Sequence, residues 1–238
     1  LQRDQLFLEY QPIVDIASGE YAGLEALLRW QHPVRGRLLP QDFIRVANDS
    51  GLIGNIGQWV VNRACAQIAE FTAQGIILPP VAVNVSPKQF QFSNMSADIL
   101  EKVAKYNIAP GKLSIEITEE LLLDHNQEVH DQLETLQSGG IGISIDDFGT
   151  GYSSLQYLRD LPATRLKIDQ TFTRSALTDS FARASVEISV RLAKEMGLKI
   201  VAEGVETVEM WNFLQDLGID EAQGYLMAKP MAPDAFLT

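Results

Sequence analysis

The chain of 238 residues contains a single cysteine, Cys65. No disulfide can form within it, and a reducing compartment is expected. Among alanine neighbours, Cys65 itself reads as a small core residue. No apolar run reaches the roughly 18 residues that a membrane-spanning helix needs, and the first residues lack the pattern of a cleaved leader. These absences together predict a cytoplasmic domain, with room for a parent protein anchored in an inner membrane. Positive charge is scarce: 19 Lys and Arg stand against 31 Asp and Glu, a net charge of −12. A chain of that sign does not dock on a nucleic-acid polymer. It can still take a small phosphorylated ligand where clustered carboxylates hold metal ions. Histidine is equally scarce. His32, His125 and His130 fall in stretches that read as loop or helix surface, so the usual zinc donors are missing.

What remains is ordinary for a globular enzyme, 46% hydrophobic and 21% charged. The length suits one large domain over 1–238. The chain starts at Leu1 rather than a methionine, which predicts a domain taken from a longer, multidomain protein.

Two apolar runs open the chain, 7–14 and 21–28, joined by the turn DIASG, and their spacing predicts an antiparallel pair. Helices are expected around 43–48 and over 56–71, where Ile56, Val60, Ala64 and Ile68 recur on one face. Strands and helices then alternate. Strands are expected at 81–85, 113–118, 141–146, 164–169, 199–203 and 221–224. Ser86, Pro87 and Gln89 read as a capping box opening a helix. Further helices are expected at 96–106, from about 119 to Gly139-Gly140, at 181–196 with Phe181, Ala184, Ile188, Leu192 and Met196 on one face, and at 207–217. Eight strands, six of them alternating with helices, imply an α/β fold with a mainly parallel sheet. In a chain of this length they fit a (β/α)8, TIM-like barrel, usually about 250 residues, with one antiparallel strand near the N-terminus. A doubly wound open sheet is disfavoured, because no glycine-rich dinucleotide fingerprint follows the first strand.

Each strand after the opening pair carries a polar group near its C-terminal end: Asn84, Glu116, Asp146, Lys167, Glu203 and Gln223, with Glu25 on the second strand. Their separations are 32, 30, 21, 36 and 20 residues, close to one strand–helix unit each. In a barrel those ends form the active face. Buried charge is costly unless paired, so a ring of charges on apolar strands needs a joint explanation. Metal coordination by oxygen donors, of the kind magnesium and manganese prefer, supplies one. The densest stretch is IGISIDDFGTGYSS, 141–154. Adjacent strand residues point to opposite faces, so Asp146 and Asp147 converge only where the chain turns. Gly149 and Gly151 permit a turn, and 153–156 read as a capping box. Alone, this stretch also suits a solvated acidic turn.

The chain as a whole resembles the EAL-domain family of bacterial cyclic di-GMP phosphodiesterases. The resemblance rests on Glu25-Ala26-Leu27 within EALLRWQHP, Asn84-Val85-Ser86, Glu116-Ile117-Thr118-Glu119, DDFGTGYSSL from Asp146, Lys167-Ile168-Asp169, AEGVE from Ala202 and QGY from Gln223. It runs from YQPIVD at Tyr10 to KPM at Lys229. It implies two Mg2+ or Mn2+ ions on Glu25, Asn84, Glu116, Asp146, Asp147 and Glu203, with Asp146 bridging. It implies catalytic roles for Asp146, for Lys167 beside the attacking water, and for Glu203 as a metal-linked or general-base group. It implies substrate contacts at Gln11, Leu27, Arg29, Asp169 and Gln223, and Glu119 as anchor of the DDFGTGYSS loop. The reaction implied is hydrolysis of one phosphodiester of cyclic di-GMP to linear pGpG, with Ca2+ inhibitory. A homodimer and covalently linked sensor or GGDEF domains are further implications.

Simpler readings stand beside these. Lys167 suits a structural partner of Asp169 or Glu203, Glu119 a first-turn helix residue, Gln223 a satisfier of backbone groups, and Arg29 a partner of a surface acid. Trp30, Trp59 and Trp211 read as packing residues. Some domains of this type bind cyclic di-GMP without cleaving it, and those typically lose ligands that this chain keeps. Arg45 and Asn48 depart from the family's usual proline and glutamate, outside the ligand set.

Overall fold

A computed structural model describes residues 4–92, 94–124, 126–151 and 155–237. The first strand, β1 (Leu6–Asp15), turns back into β2 (Tyr21–His32), which extends into a short hairpin with β3 (Gly36–Leu38). Helices α1 (Ile44–Asp49) and α2 (Ile53–Ala73) lead to β4 (Val81–Asn84). Then come α3 (Pro87–Phe92), α4 (Met95–Lys105), β5 (Leu113–Thr118), α5 (Gln127–Ser138), β6 (Gly142–Phe148) and α6 (Leu155–Asp160). The chain closes with β7 (Arg165–Ile168), α7 (Gln170–Ser175), α8 (Ser180–Glu195), β8 (Lys199–Ala202), α9 (Val208–Asp216) and β9 (Glu221–Ala222).

Eight of these strands form a closed barrel, because β1 pairs with both β2 and β9 while β2 and β4 through β9 follow in order. β1 is antiparallel to both neighbours, and the remaining barrel pairs are parallel. The expected barrel with one reversed strand is therefore the observed one.

Alternation along each strand separates two environments. Ile115, Ile117, Ile143, Ile145 and Leu166 are buried against the helices. Their neighbours Glu116, Ser144, Asp146 and Lys167 occupy the opposite parity and face the barrel axis. The helix face of α2 forms as its pattern predicts, with Ile56, Val60, Ala64 and Ile68 buried. At the capping box expected at Ser86, Gln89 Oε1 accepts from the Ser86 backbone N–H at 2.9 Å.

Three expectations are corrected. The helix expected from 119 is two pieces, a 3₁₀ segment Glu119–Asp124 and then α5, whose start is fixed by Asn126 accepting from the Glu128 N–H at 2.9 Å. In α8 the packed side is Ala182, Val186, Ser189, Val190 and Ala193, while Phe181 and Ile188 are 72% and 67% exposed. Small residues let α8 lie close to the barrel; of the expected stripe, Leu192 and Met196 still pack half-buried against the core, while Phe181, Ala184 and Ile188 are left outside. Third, the turn after Asp146 is not made by glycine alone. β6 continues through Phe148 with its register broken between Ile145 and Phe148, and Asp147 itself takes a left-handed backbone, φ 54°. The capping box expected at 153–156 begins outside the described residues, as does His125.

Candidate active site

The C-terminal strand ends converge on Lys167, which is 0% exposed. Its Nζ lies 2.7 Å from Glu203, 2.8 Å from Glu116, 3.1 Å from Asp146 and 3.6 Å from Glu25. Burial alone would depress the ammonium, but those four carboxylates outweigh it and hold Lys167 well above the usual lysine range. Lys167 is no partner of Asp169, whose carboxylate instead caps α7 through the Thr171 N–H at 2.9 Å.

Glu25 is held on both oxygens, by Asn84 Nδ2 and by Gln223 Nε2, each at 2.7 Å. Burial raises its carboxyl, but Lys167 and these two amides bring it below the ordinary value. Glu116, buried beside Glu25 and Asp146, is pushed well up, with Lys167 opposing. Glu203 rises to about 8, through burial first and then the Asp146 and Glu25 charges, against the pull of Lys167. Asp147 rises to about 6, through burial and the neighbouring Asp146 and Asp169 charges. One ammonium thus faces more negative charge than it can neutralise. Asp146 Oδ1 is buried and accepts no hydrogen bond of sound geometry despite its closeness to Lys167. Carboxylate oxygens of Asp146, Asp147 and Glu203 lie within 4.8 Å of one another, a spacing able to hold a metal ion. The donor set is all oxygen, which fits a hard divalent cation.

Glu119 is buried at the foot of the loop. Its Oε2 accepts from the N–H of Gly149 and of Gly151, both at 3.0 Å. A side chain at 151 would press its Cβ to 3.2 Å from the Glu119 carboxyl carbon, so Gly151 serves close approach. Residues 152–154 of this loop lie outside the described residues.

Two clefts open on the cluster. One, of about 260 Å³, is lined by Gln11, Glu25, Asp146, Glu203 and Gln223 among others. The second, of about 650 Å³, is more apolar and reaches Asn84 and Asp147. Leu27, Arg29 and Gln170 belong to both.

A family model described as EAL domain matches residues 1–230. The chain belongs to the EAL domain family. It is 42% identical over 237 residues to the bifunctional diguanylate cyclase/cyclic di-GMP phosphodiesterase MucR of Pseudomonas aeruginosa, covering 100% of this chain and 35% of that protein. It is 37% identical over 236 residues to the cyclic di-GMP phosphodiesterase PdeR of Escherichia coli, covering 99% of this chain and 35% of that one. The chain therefore spans about a third of the length of these curated relatives. Among solved structures, the PaMucR phosphodiesterase in complex with c-di-GMP superposes with a TM-score of 0.94 at 41% identity, over 99% of this chain and 95% of that one. The EAL enzyme Bd1971, with cAMP and cyclic-di-GMP bound, gives 0.93 at 34%, over 99% and 65%.

Within this EAL domain, the signature Glu25-Ala26-Leu27 alternates by strand parity. Glu25 points to the cluster, Ala26 is buried toward the helices and Leu27 lines the clefts. Gln11 faces Glu25 across the antiparallel pair and accepts from Gln223 Nε2 at 3.2 Å. Arg29 lines both clefts, with a buried carboxylate, Glu9, behind it rather than a surface acid. Asp169 lines neither cleft; its carboxylate caps α7, and its charge helps to raise the Asp147 carboxyl. Sequence reasoning passed over Glu9, and also Gln170, Arg174 and Glu206, which line the first cleft's rim. Glu9 had a signal: like Glu25, it is a carboxylate in an apolar strand. No described helix is long and apolar enough to cross a membrane.

Proposed function

We propose that this EAL domain hydrolyses one phosphodiester bond of cyclic di-GMP to linear pGpG, using two Mg2+ or Mn2+ ions. The observation that carries the reading is the anionic cluster at the barrel mouth, where one buried lysine meets four carboxylates beneath two adjoining clefts. The family membership and the cyclic di-GMP named for MucR and PdeR support the substrate. Two clefts meeting at Leu27, Arg29 and Gln170 suit a ligand with two bases and two phosphates.

Glu25, Asn84, Glu116, Asp146, Asp147 and Glu203 would hold the ions, the oxygens of Asp146, Asp147 and Glu203 lying close enough together to share one. When bound, such ions supply a water of lowered pKa and relief of charge on the phosphodiester. The chain's own residues do the rest. Asn84 and Gln223 fix both oxygens of Glu25. Lys167, immobilised by its carboxylates, orients the attacking water and offers positive charge to the anionic transition state. Glu203, within 2.7 Å of the Lys167 ammonium at the cleft wall, is placed to take the water's proton. Glu119 keeps the strand tip bearing Asp146 and Asp147 in place through the Gly149 and Gly151 amides.

The domain acts within a longer protein, joined to sensor or GGDEF domains, as its share of MucR and PdeR suggests. It pairs as a homodimer, a reading supported by the exposed apolar side chains Leu177, Phe181 and Ile188 about α8.

The test is cyclic di-GMP hydrolysis with Mg2+ or Mn2+, followed as pGpG by chromatography, with an EDTA control. Metal-dependent product is expected. Ca2+ in place of Mg2+ is expected to inhibit, because its looser coordination misplaces the water. Binding of intact cyclic di-GMP without product would make the domain a receptor.

A further inference from the structure

Two arginines line the clefts, and they are held differently. Arg174 faces only the first cleft and gives its Nη2 to Glu206. Arg29 faces both, and it is gripped from behind. Its Nε donates to Glu9 Oε2 at 2.8 Å, and its Nη1 donates to the Leu28 carbonyl at 2.9 Å. Its Nη2 has no hydrogen-bond partner among the described residues. A guanidinium is planar, so fixing Nε and Nη1 fixes where Nη2 points.

Glu9 lies on β1, opposite Leu27 in the antiparallel register, and is only 8% exposed. The same Oε2 also accepts from Arg37 Nη2 on β3. A carboxylate this buried needs partners, and two arginines supply them. The trio carries a net charge of +1, beside a cluster in which Lys167 is outnumbered by carboxylates. Arg29 is thus the cation common to both clefts, joined in the first by the ion-paired Arg174. Left untethered, a long arginine would lose rotamer freedom on each binding event, at a cost in affinity.

We propose that Glu9 is a positioning residue for substrate binding. It holds Arg29 with the free guanidinium edge turned to the clefts, so that an incoming phosphodiester meets an aimed donor. Glu9 acts through Arg29 and touches no reacting atom. The inference rests on the phosphodiesterase reading given above.

The experiment compares Glu9→Gln, Glu9→Asp, Arg29→Ala and Glu9→Gln/Arg29→Ala with the wild type, each checked by thermal melting. Glu9→Gln keeps the shape and removes the charge. Glu9→Asp keeps the charge but draws it away from Nε, and it serves if Glu9→Gln does not fold. Either single Glu9 variant is expected to raise KM for cyclic di-GMP on the order of tenfold, with kcat reduced by less than about threefold, the signature of lost uniform binding. In the Arg29→Ala background, Glu9→Gln is expected to change KM by less than about twofold, because the two residues act as one unit. A lowered melting temperature with unchanged KM would overturn the proposal and leave Glu9 a strut between β1, β2 and β3. An equal KM effect with and without Arg29 would overturn it too. If the wild type binds but does not cleave, the functional reading fails separately. Glu9 is then judged by Kd for intact cyclic di-GMP, where about the same tenfold shift is expected and an unchanged Kd overturns the proposal. A wild type that neither binds nor cleaves overturns both.

Discussion

The barrel interior holds charge at both ends, in opposite proportions. At the N-terminal end, Glu221 is 0% exposed and takes Arg165 through Nε at 2.9 Å and Nη2 at 3.3 Å, and Lys199 Nζ at 2.9 Å. One anion has two cations, and both of its oxygens are occupied. At the C-terminal end, one lysine meets Glu25, Glu116, Asp146 and Glu203, with Asp147 close by. The same strands serve both ends. β7 sends Arg165 to one and Lys167 to the other, and β8 and the segment just after it send Lys199 and Glu203. Only the ratio of charges differs. A cluster that is complete holds the fold together. A cluster short of positive charge keeps carboxylate oxygens to spare, and those of Asp146, Asp147 and Glu203 are spaced to hold a metal ion.

The contrast is broken most severely at the incomplete end. Glu25→Ala is expected to lower cyclic di-GMP turnover on the order of a thousandfold, the loss of several kcal/mol of barrier stabilisation, measured at saturating Mg2+. Turnover that survives would remove Glu25 from the ligand set. At the complete end the damage should be of another kind. Glu221→Ala leaves Arg165 and Lys199 without their anion and is expected to cost about 2–4 kcal/mol of stability by urea unfolding. Turnover per folded molecule should stay within about twofold, as for a distant independent site. A matching fall in kcat would mean that the two ends are coupled.

The smallest effect sharpens the contrast through pH. Glu203 at about 8 and Asp147 at about 6 stand above their ordinary values of 4.5 and 3.8. Carboxyls raised by folding take up protons on folding, so their stabilising share is present at low pH and is lost as pH climbs through about 6 and then about 8. Metal-free protein is therefore expected to melt a few degrees higher near pH 5.5 than near pH 8.5, as read by calorimetry. Adding Mg2+ should raise the melting temperature most at the alkaline end, because ligands must be deprotonated to bind it. A metal-free protein that melts higher at alkaline pH would show that the cluster repels itself less than its geometry implies.

Much of this site was legible because barrel strands repeat one rule. A polar residue of inward parity near a strand's end becomes a residue of the mouth, and Asn84, Glu116, Asp146, Lys167 and Glu203 all obey it. What escaped depends on contacts that no local pattern encodes. Glu9 finds Arg29 twenty residues away, and Gln223 reaches Glu25 across 198. The side of α8 that packs was read correctly at Leu192 and Met196 but not at Phe181 and Ile188, because hydrophobic size points one way while close approach to the sheet favours Ala182, Ser189 and Ala193. The kink at Asp147 escaped because adjacent glycines offered a cheaper explanation, although an aspartate tolerates a left-handed backbone better than most residues.

The reversed direction of β1 has a mechanical consequence. Its neighbours deliver their trailing ends to the mouth, but β1 delivers its leading end there, with Phe7 beside Arg29 and Leu6 beside Trp30. The chain thus enters the barrel at the working rim, a few residues from Glu9, not at the opposite pole. Any torque or tension applied to the polypeptide ahead of Leu6 is a load hung on the lip of the vessel, one side chain removed from the arginine that lines both clefts.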